Sequence, residues 1–180
     1  GIREKDGKDM NVSLITNAGN TTREDIGVYV QDQLKQIGIN VDFQAIDFGT
    51  MLDQMDAQTY DMVIAGWTGI GSDPNDDVFW KAENDVVGSG FNNTSYQNPE
   101  LEDLLVQGYS VPGCKPEDRA PIYKKIQQII HNDLPYIYLY GSVANAFYNK
   151  DWTNIEPGTW SFKWNMHNWY QQSLQPAVTP

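Results

Sequence analysis

Cysteine is almost absent. Cys114 stands alone, so neither an internal disulfide framework nor a cysteine-based zinc cluster can form. Basic residues are also scarce: Lys and Arg number 12 against 24 Asp and Glu, a net charge of −12. Phosphate recognition needs a basic face, so this balance argues against nucleic acid. It argues equally against a polybasic membrane-surface segment. No apolar run approaches the roughly 20 residues of a membrane span. The two histidines, His131 and His167, have no H-x-x-x-H spacing, and no metal site is expected. Gly66, Gly69 and Gly71 fit neither G-x-G-x-x-G nor a P-loop, and no G-x-S-x-G elbow occurs.

What remains is a globular composition, 40% hydrophobic and 20% charged over 180 residues. A chain of this length buries about 70% of the surface it would expose unfolded, enough for a real core. The start, Gly1 to Lys8, lacks the apolar core of a secretory signal and opens on a turn signal, Asp6-Gly7. It is expected to derive from a longer chain.

Periodicity gives the first half. Val12 to Thr16 reads as a strand. Thr21 with Glu24 reads as a capping box. Ile26, Val30, Leu34 and Ile37 then follow at helical spacing, and Gly38 closes the helix. Leu34 is expected to be fully buried. Ile39 to Ala45 alternates apolar and polar residues, as a strand with one polar face does. A short helix is expected around Met51 to Met55, and Met62 to Ala65 reads as a strand covered on both faces. This β-α-β-α-β order predicts a mainly parallel sheet.

From Gly66 to Tyr96 the chain turns polar and rich in Gly, Asn, Asp and Ser. It starts where open α/β sheets place ligands, beyond the C-terminal end of a buried strand. Trp67 stands there beside glycines and is expected to be partly exposed. Asn98 with Pro99 starts the next helix, whose buried stripe is Leu101, Leu104 and Leu105. Asp118 is expected to cap another, with Pro121 in its first turn and Ile122, Ile126, Ile129 and Ile130 inward. Both helices are expected to pack on the sheet. Tyr136 to Tyr140 reads as a further strand, Asn145 to Tyr170 as an irregular aromatic stretch, and Gln171 to Pro180 as a tail.

Several chemistries lack the pattern they require. Asp73, Asp76, Asp77 and Glu83 crowd one loop, but proximity in sequence does not face two carboxylates across a bond as a glycosidase requires. Asp73 to Asp77 fails as an EF-hand because Val78 holds the place of the loop glycine. Cys114 lies in a surface turn with no positioned histidine. The sequons at Asn11, Asn20, Asn92 and Asn93 read as chance.

The segments Gly1 to Lys8, Leu14 to Asn20, Gln33 to Val41, Tyr60-Asp61-Met62, Gly66-Trp67-Thr68-Gly69 with Asp73-Pro74, Asn92-Asn93 with Tyr96, Asn98-Pro99-Glu100, and Asp133-Leu134-Pro135 leading to Tyr140 form, in this order, a pattern. It resembles the extracytoplasmic solute-binding proteins of ABC importers, family 5, which include oligopeptide and dipeptide receptors. The resemblance covers residues 1 to about 150. It implies an α/β periplasmic-binding-protein-like lobe (type II), a mainly parallel sheet flanked by helices. It implies the second of two lobes that enclose a solute, the first lobe lying outside this sequence. Residues 1–150 would be the ligand-binding lobe, 151–170 an aromatic segment belonging partly to the interlobe crossing, and 171–180 a flexible tail.

The resemblance further implies a binding protein rather than an enzyme. It would have no cofactor or metal, would lie outside the cytoplasm of a bacterium or archaeon, periplasmic or lipid-anchored, and would deliver a peptide or other small solute to a membrane permease. Solute contacts are implied at Gly66, Trp67, Thr68, Gly69, Ile70 and Asp73, at Asn92, Asn93 and Thr94, and at Tyr140. Peptide receptors of the family commonly carry an Asp where Ile70 stands, and that carboxylate pairs with a free ammonium. Ile70 cannot, and Pro74 restricts Asp73 from replacing it. A blocked or longer peptide, an oligosaccharide stacked on Trp67, or another uncharged molecule is therefore expected. The competing readings are a free-standing carbohydrate-binding module using Trp67 and the late tryptophans, and a hydrolase working through Asp73 to Glu83.

Overall fold

The structure is a computed structural model and describes residues 1–67, 73–143, 145–158, 161 and 163–174. Two units are distinguished, Gly1–Gly66 with Asn75–Tyr136, and Trp67–Pro74 with Ile137–Pro180.

The first unit opens with a small ribbon, β1 (Glu4–Lys5) against β2 (Lys8–Asp9). Asp6 (φ 55°) and Gly7 (φ 74°) both adopt left-handed backbone, the requirement of a tight type I′ hairpin. β3 (Asn11–Asn17) then forms the centre of a three-stranded sheet. β4 (Asn40–Ile46) and β5 (Met62–Ile64) lie on either side of it, both parallel to it. The crossovers are α1 (Thr21–Gln36) and α2 (Phe48–Asp56). Successive strand residues point to opposite faces, so Leu14 and Ile15 serve different layers. Leu14, Val41 and Ile64 pack with Ile26, Val30 and Leu34 of α1, while Ile15 packs with Met51 and Met55 of α2. This is the α/β lobe expected from the sequence, with β5 covered on both faces.

Details of α1 depart from expectation. Its N-cap is Asn20, not Thr21: Arg23 N donates to Asn20 Oδ1 at 3.1 Å, and Glu24 Oε1 accepts from Gly19 N at 2.7 Å. Asn is at least as good a cap as Thr, and the pair moves one residue back. At the other end Gly38 N bonds Lys35 O and Ile39 N bonds Leu34 O, a Schellman stop with Gly38 at φ 80°. Leu34 is half-buried rather than fully buried, because the helix comes closest to the sheet two turns earlier, at Gly27. A Cβ on Gly27 would stand 2.1 Å from Phe43 Cε2. Gly27→Ala is therefore expected to destabilise by about 1–3 kcal/mol, although Ala in a helix gains about 1 kcal/mol over Gly. Urea denaturation checks this. In a Phe43→Leu background the same change should be neutral or stabilising.

α3 (Asp77–Trp80), α4 (Pro99–Ser110) and α5 (Pro116–Asp133) build a separate core. Trp80, Leu101, Leu104, Leu105, Tyr123, Ile126 and Ile130 are its buried residues. The apolar stripes of α4 and α5 meet each other rather than the sheet, which corrects the expected packing: α1 and α2 already cover the two sheet faces. Asn98 caps α4 as expected, accepting from Leu101 N at 3.2 Å. α5 starts earlier than expected, with Lys115 at the N-cap and Pro116 in the first turn. Asp118 is a first-turn acid, not the cap. Pro121 then falls inside the helix, where its ring removes one backbone bond.

The strand expected at 136–140 is not formed among the described residues. Tyr136 joins the α4/α5 core, its ring 4.8 Å from that of Trp80. Ile137, Tyr138, Leu139 and Tyr140, in the second unit, are all more than half exposed. A strand exists only against a neighbour, and the run pairs with none of the described strands.

In the second unit, β6 (Trp152–Thr153) pairs antiparallel with β7 (Tyr170–Gln171). Asn165, 1% exposed, fixes the intervening turns by donating to Asn154 O at 2.8 Å and accepting from Trp169 Nε1 at 2.7 Å. Gln171 to Leu174, expected as the start of a tail, form part of β7 and a short turn that Asp151 holds. The Asp151 carboxylate accepts from Ser173 N and Oγ, and its carbonyl accepts from Gln172 N. Residues 175–180 lie outside the described residues.

Candidate functional site at the C-terminal edge of the parallel sheet

β3 and β5 run in the same direction, so Asn17 and Gly66 lie at the same end of the sheet. Helix α1 begins there as well. Arg23, in its first turn, donates from Nη1 to Asn17 Oδ1 at 2.7 Å. Its Nη2 lies against Gly66, where a Cβ would stand 2.9 Å away. Glycine thus lets the guanidinium reach β5's C-terminal edge. A cation in the first turn opposes the helix dipole. Tolerating this unfavourable placement is the sequence signal that would have singled out Arg23, which sequence reasoning missed. Trp67 follows Gly66 in the chain and is 40% exposed, as expected. Asp73 is exposed. Thr68, Gly69 and Ile70 lie outside the described residues.

The Asn-rich stretch is placed elsewhere. Asn92 is fully buried, and its side chain is engaged within its own loop. Nδ2 donates to Lys81 O (3.2 Å) and Tyr96 O (2.7 Å), and Oδ1 accepts from Tyr96 N at 3.1 Å. Its geometry is that of a loop brace. Asn93 Nδ2 donates to Met55 O at 3.1 Å, and its carbonyl accepts from Tyr60 Oη at 2.7 Å. Its buried Oδ1 has no donor among the described residues. With Thr94, it borders an open cleft of about 290 Å³ that is also lined by Gln58, Tyr60, Asp61 and Ser95. Tyr60 and Asp61 precede β5, whereas Gly66 and Trp67 follow it. The two groups of expected solute residues therefore stand at opposite ends of one strand. Tyr140, in the second unit, is 54% exposed.

Electrostatics distinguish the two ends. Ser13 N and Oγ both donate to Asp61 Oδ2, at 2.7 and 2.9 Å, and hold that carboxyl below its ordinary pKa. A depressed folded pKa gives stability that is present above the unfolded value, about 3.9. It is lost as pH falls through the folded value. Asp61→Asn is expected to flatten this acid limb, seen as a smaller fall in Tm between pH 5 and pH 2. Burial pushes the Tyr60 phenol up. In the loop, Lys81 Nζ sits 3.1 Å from Asp77 and 3.4 Å from Glu83, and the hydrogen bond with Asp77 is the main reason its pKa rises. These two acids thus share a cation. No group of three or more His, Cys, Asp or Glu able to hold a metal occurs among the described residues. No helix among them is long and apolar enough to cross a membrane.

Residues 1–87 match the family model described as bacterial extracellular solute-binding proteins, family 5 middle. The oligopeptide-binding protein AppA of Bacillus subtilis is 35% identical over 142 residues, 78% of this chain and 25% of that protein. The structure of AppA in complex with a nonapeptide superposes with a TM-score of 0.77 at 28% identity, covering 95% of this chain and 33% of that one. The ABC transporter-associated periplasmic binding protein DppA of Helicobacter pylori, in complex with peptide STSA, gives 0.63 at 26% identity, covering 71% and 24%. The chain therefore spans a quarter to a third of the length of these relatives.

Proposed function

The chain belongs to family 5 of the bacterial extracellular solute-binding proteins, and on that premise we propose that it is one lobe of a two-lobed importer receptor that captures a peptide. Its relatives are binding proteins, not enzymes, and are extracellular or periplasmic. The capture site in this reading is the C-terminal edge of the parallel sheet, where the Arg23 guanidinium lies against Gly66 and bonds Asn17. The observation that carries this is the juxtaposition of Arg23 and Gly66 at a strand end that leads into a half-exposed tryptophan. Arg23 gives the solute's carboxylate or backbone carbonyls a cationic donor; Trp67, next in the chain after Gly66, is part-exposed and suits an apolar contact. Solute touching both lobes shifts an open–closed equilibrium toward closed, which a permease of the ABC type would read. Thr68, Gly69, Ile70 and Asp73, which follow in the sequence, are taken in this reading as further solute contacts. Asn92 braces the neighbouring loop instead of touching solute.

Ile70 sets the solute class within this reading. An ammonium buried against it would be unpaired and costly, so the receptor takes peptides whose amino terminus is blocked or extends beyond the site. Calorimetry on the two-lobed receptor tests this with a free peptide, its N-acetylated form, its C-terminal amide and a panel of oligosaccharides. The two acetylation states should bind within about threefold of each other, well under the tenfold that 1.4 kcal/mol represents. Arg23→Gln should weaken peptide binding about tenfold or more, the value of a hydrogen bond to a charged group. Tight binding of the free peptide that is lost on acetylation would overturn the solute class. Binding of oligosaccharides alone would overturn the peptide reading.

A further inference from the structure

The open cleft of about 290 Å³ beside the N-terminal end of β5 is built wholly from the first unit. Asn93 is the one buried residue of its lining, 9% exposed. Its Nδ2 is spent on Met55 O and its main-chain carbonyl on Tyr60 Oη, so Oδ1 is the atom left to offer, buried and without a donor among the described residues. A buried acceptor left unmade is costly. Asp61 keeps its Oδ1 as well, because both Ser13 donors go to Oδ2. The Tyr60 hydroxyl gives its proton to Asn93 O and retains lone pairs. The side-chain donors of the lining are turned to protein acceptors instead: Gln58 Nε2 and Ser95 Oγ donate to Asp85 Oδ1, at 2.8 and 3.0 Å, and Thr94 Oγ1 to Asn92 Oδ1. No Lys, Arg or His among the described residues lines the cleft. Helix α2 ends beside it, where Met55 O accepts from both Gln58 N and Asn93 Nδ2. The last turn of α2 carries no basic residue, so the negative end of its dipole has no cation of its own to offset it.

We propose that this cleft binds a small molecule carrying a primary ammonium, which donates to Asn93 Oδ1, Asp61 Oδ1 and Tyr60 Oη. Three N–H donors on a compact cation match three acceptors, one of them charged. A guanidinium would want both oxygens of the carboxylate, and Oδ2 is taken. A divalent cation would want more carboxylates than the one that lines the cleft. The volume is at the small end of ligand sites, which suits an alkylamine rather than a peptide. This chemistry is opposite to that proposed for the capture edge, and neither site depends on the other. This chain, ¹⁵N-labelled, is titrated at neutral pH and fixed ionic strength with butylammonium, with tetramethylammonium, which has the charge but no N–H, and with butanol, which has the chain but no charge. Butylammonium is expected to give saturable shifts of the Asn93 side-chain amide and of the Thr94 and Ser95 backbone amides. Tetramethylammonium and butanol should bind at least about tenfold more weakly, the worth of a hydrogen bond to a charged group. Asp61→Asn should weaken butylammonium about tenfold or more. Asp32→Asn, which removes the same charge from an exposed position of α1, should leave its affinity within about twofold, because distant surface charges are screened. Equal shifts with tetramethylammonium would mean an adventitious cation effect only and overturn the site. Shifts that do not saturate, or equal affinities in the two Asp variants, overturn it as well. Comparing the cations needs no variant, so a fold lost in Asp61→Asn does not shield the site from refutation. Failure of peptide binding at the sheet edge leaves these results unaffected.

Discussion

Asn92→Ala is expected to cost about 3–5 kcal/mol, at the upper end for a single substitution. The residue is fully buried, and its amide serves three backbone groups at once: Lys81 O, Tyr96 O and Tyr96 N. Truncation leaves two carbonyls and one N–H without their partner, each worth about 1–3 kcal/mol when it stays dry. Tyr96 also packs edge-on against Trp80, with centroids 6.2 Å apart, so the damage reaches the α4/α5 core. Asn92→Asp should be no milder, because it removes both donors and buries a charge facing two carbonyl oxygens. Urea denaturation measures the loss. The result also separates two roles. A solute ligand at position 92 would lose affinity on truncation with little change in stability. A brace loses stability first. A loss under about 1 kcal/mol would show that Asn92 is not the brace described here.

Ile126→Ala carries the second large effect, an expected cost of about 2–5 kcal/mol. Ile126 is 4% exposed at the centre of the helical core, among Leu101, Leu105 and Trp80. Rigid aromatic neighbours refill a cavity poorly, which favours the upper part of that range. Leu34→Ala, at a half-buried position, should cost less than Ile126→Ala because part of its surface is already in water. The sheet cluster and the helical cluster share no buried residue. Ile126→Ala and Leu14→Ala should therefore add to within about 0.5 kcal/mol. Marked non-additivity in denaturation would mean that the two cores behave as one.

The parallel sheet and its two crossovers were legible in the sequence because their signals are local and periodic. Leu14 and Ile15 alternate faces, Val41 and Phe43 share one, and Gly38 stops a helix. Boundaries moved where two residues competed for one job, as Asn20 and Thr21 did for a cap and Pro116 and Asp118 for a helix start. The meeting of α4 with α5 was not legible. An apolar stripe such as Leu101, Leu104 and Leu105 states that it will be buried, not against what. The strand at 136–140 failed for a related reason: Ile137 and Leu139 have the right pattern, but a strand depends on a partner that no local pattern supplies. For the site, the Gly66–Trp67 turn was visible as polar chain after a buried strand. Arg23 was hidden because its neighbours at the sheet edge, Asn17 at the end of β3 and Gly66 just beyond β5, are far apart in sequence. Polar, Asn-rich sequence describes a solute contact and a loop brace equally well, so the bonds that Asn92 makes to Lys81 and Tyr96 were not legible.

The central claim is that solute meets this lobe at the C-terminal edge of β3 and β5. The most direct measurement is a titration of this chain, uniformly ¹⁵N-labelled, with an N-acetylated oligopeptide to millimolar concentration, followed by amide and indole NMR shifts. The account predicts changes at Asn17, Arg23 and Gly66 and at the Trp67 indole, reduced in Arg23→Gln. Changes centred on Gln58, Tyr60, Thr94 and Ser95, at the other end of β5, or no change anywhere at that concentration, would contradict it.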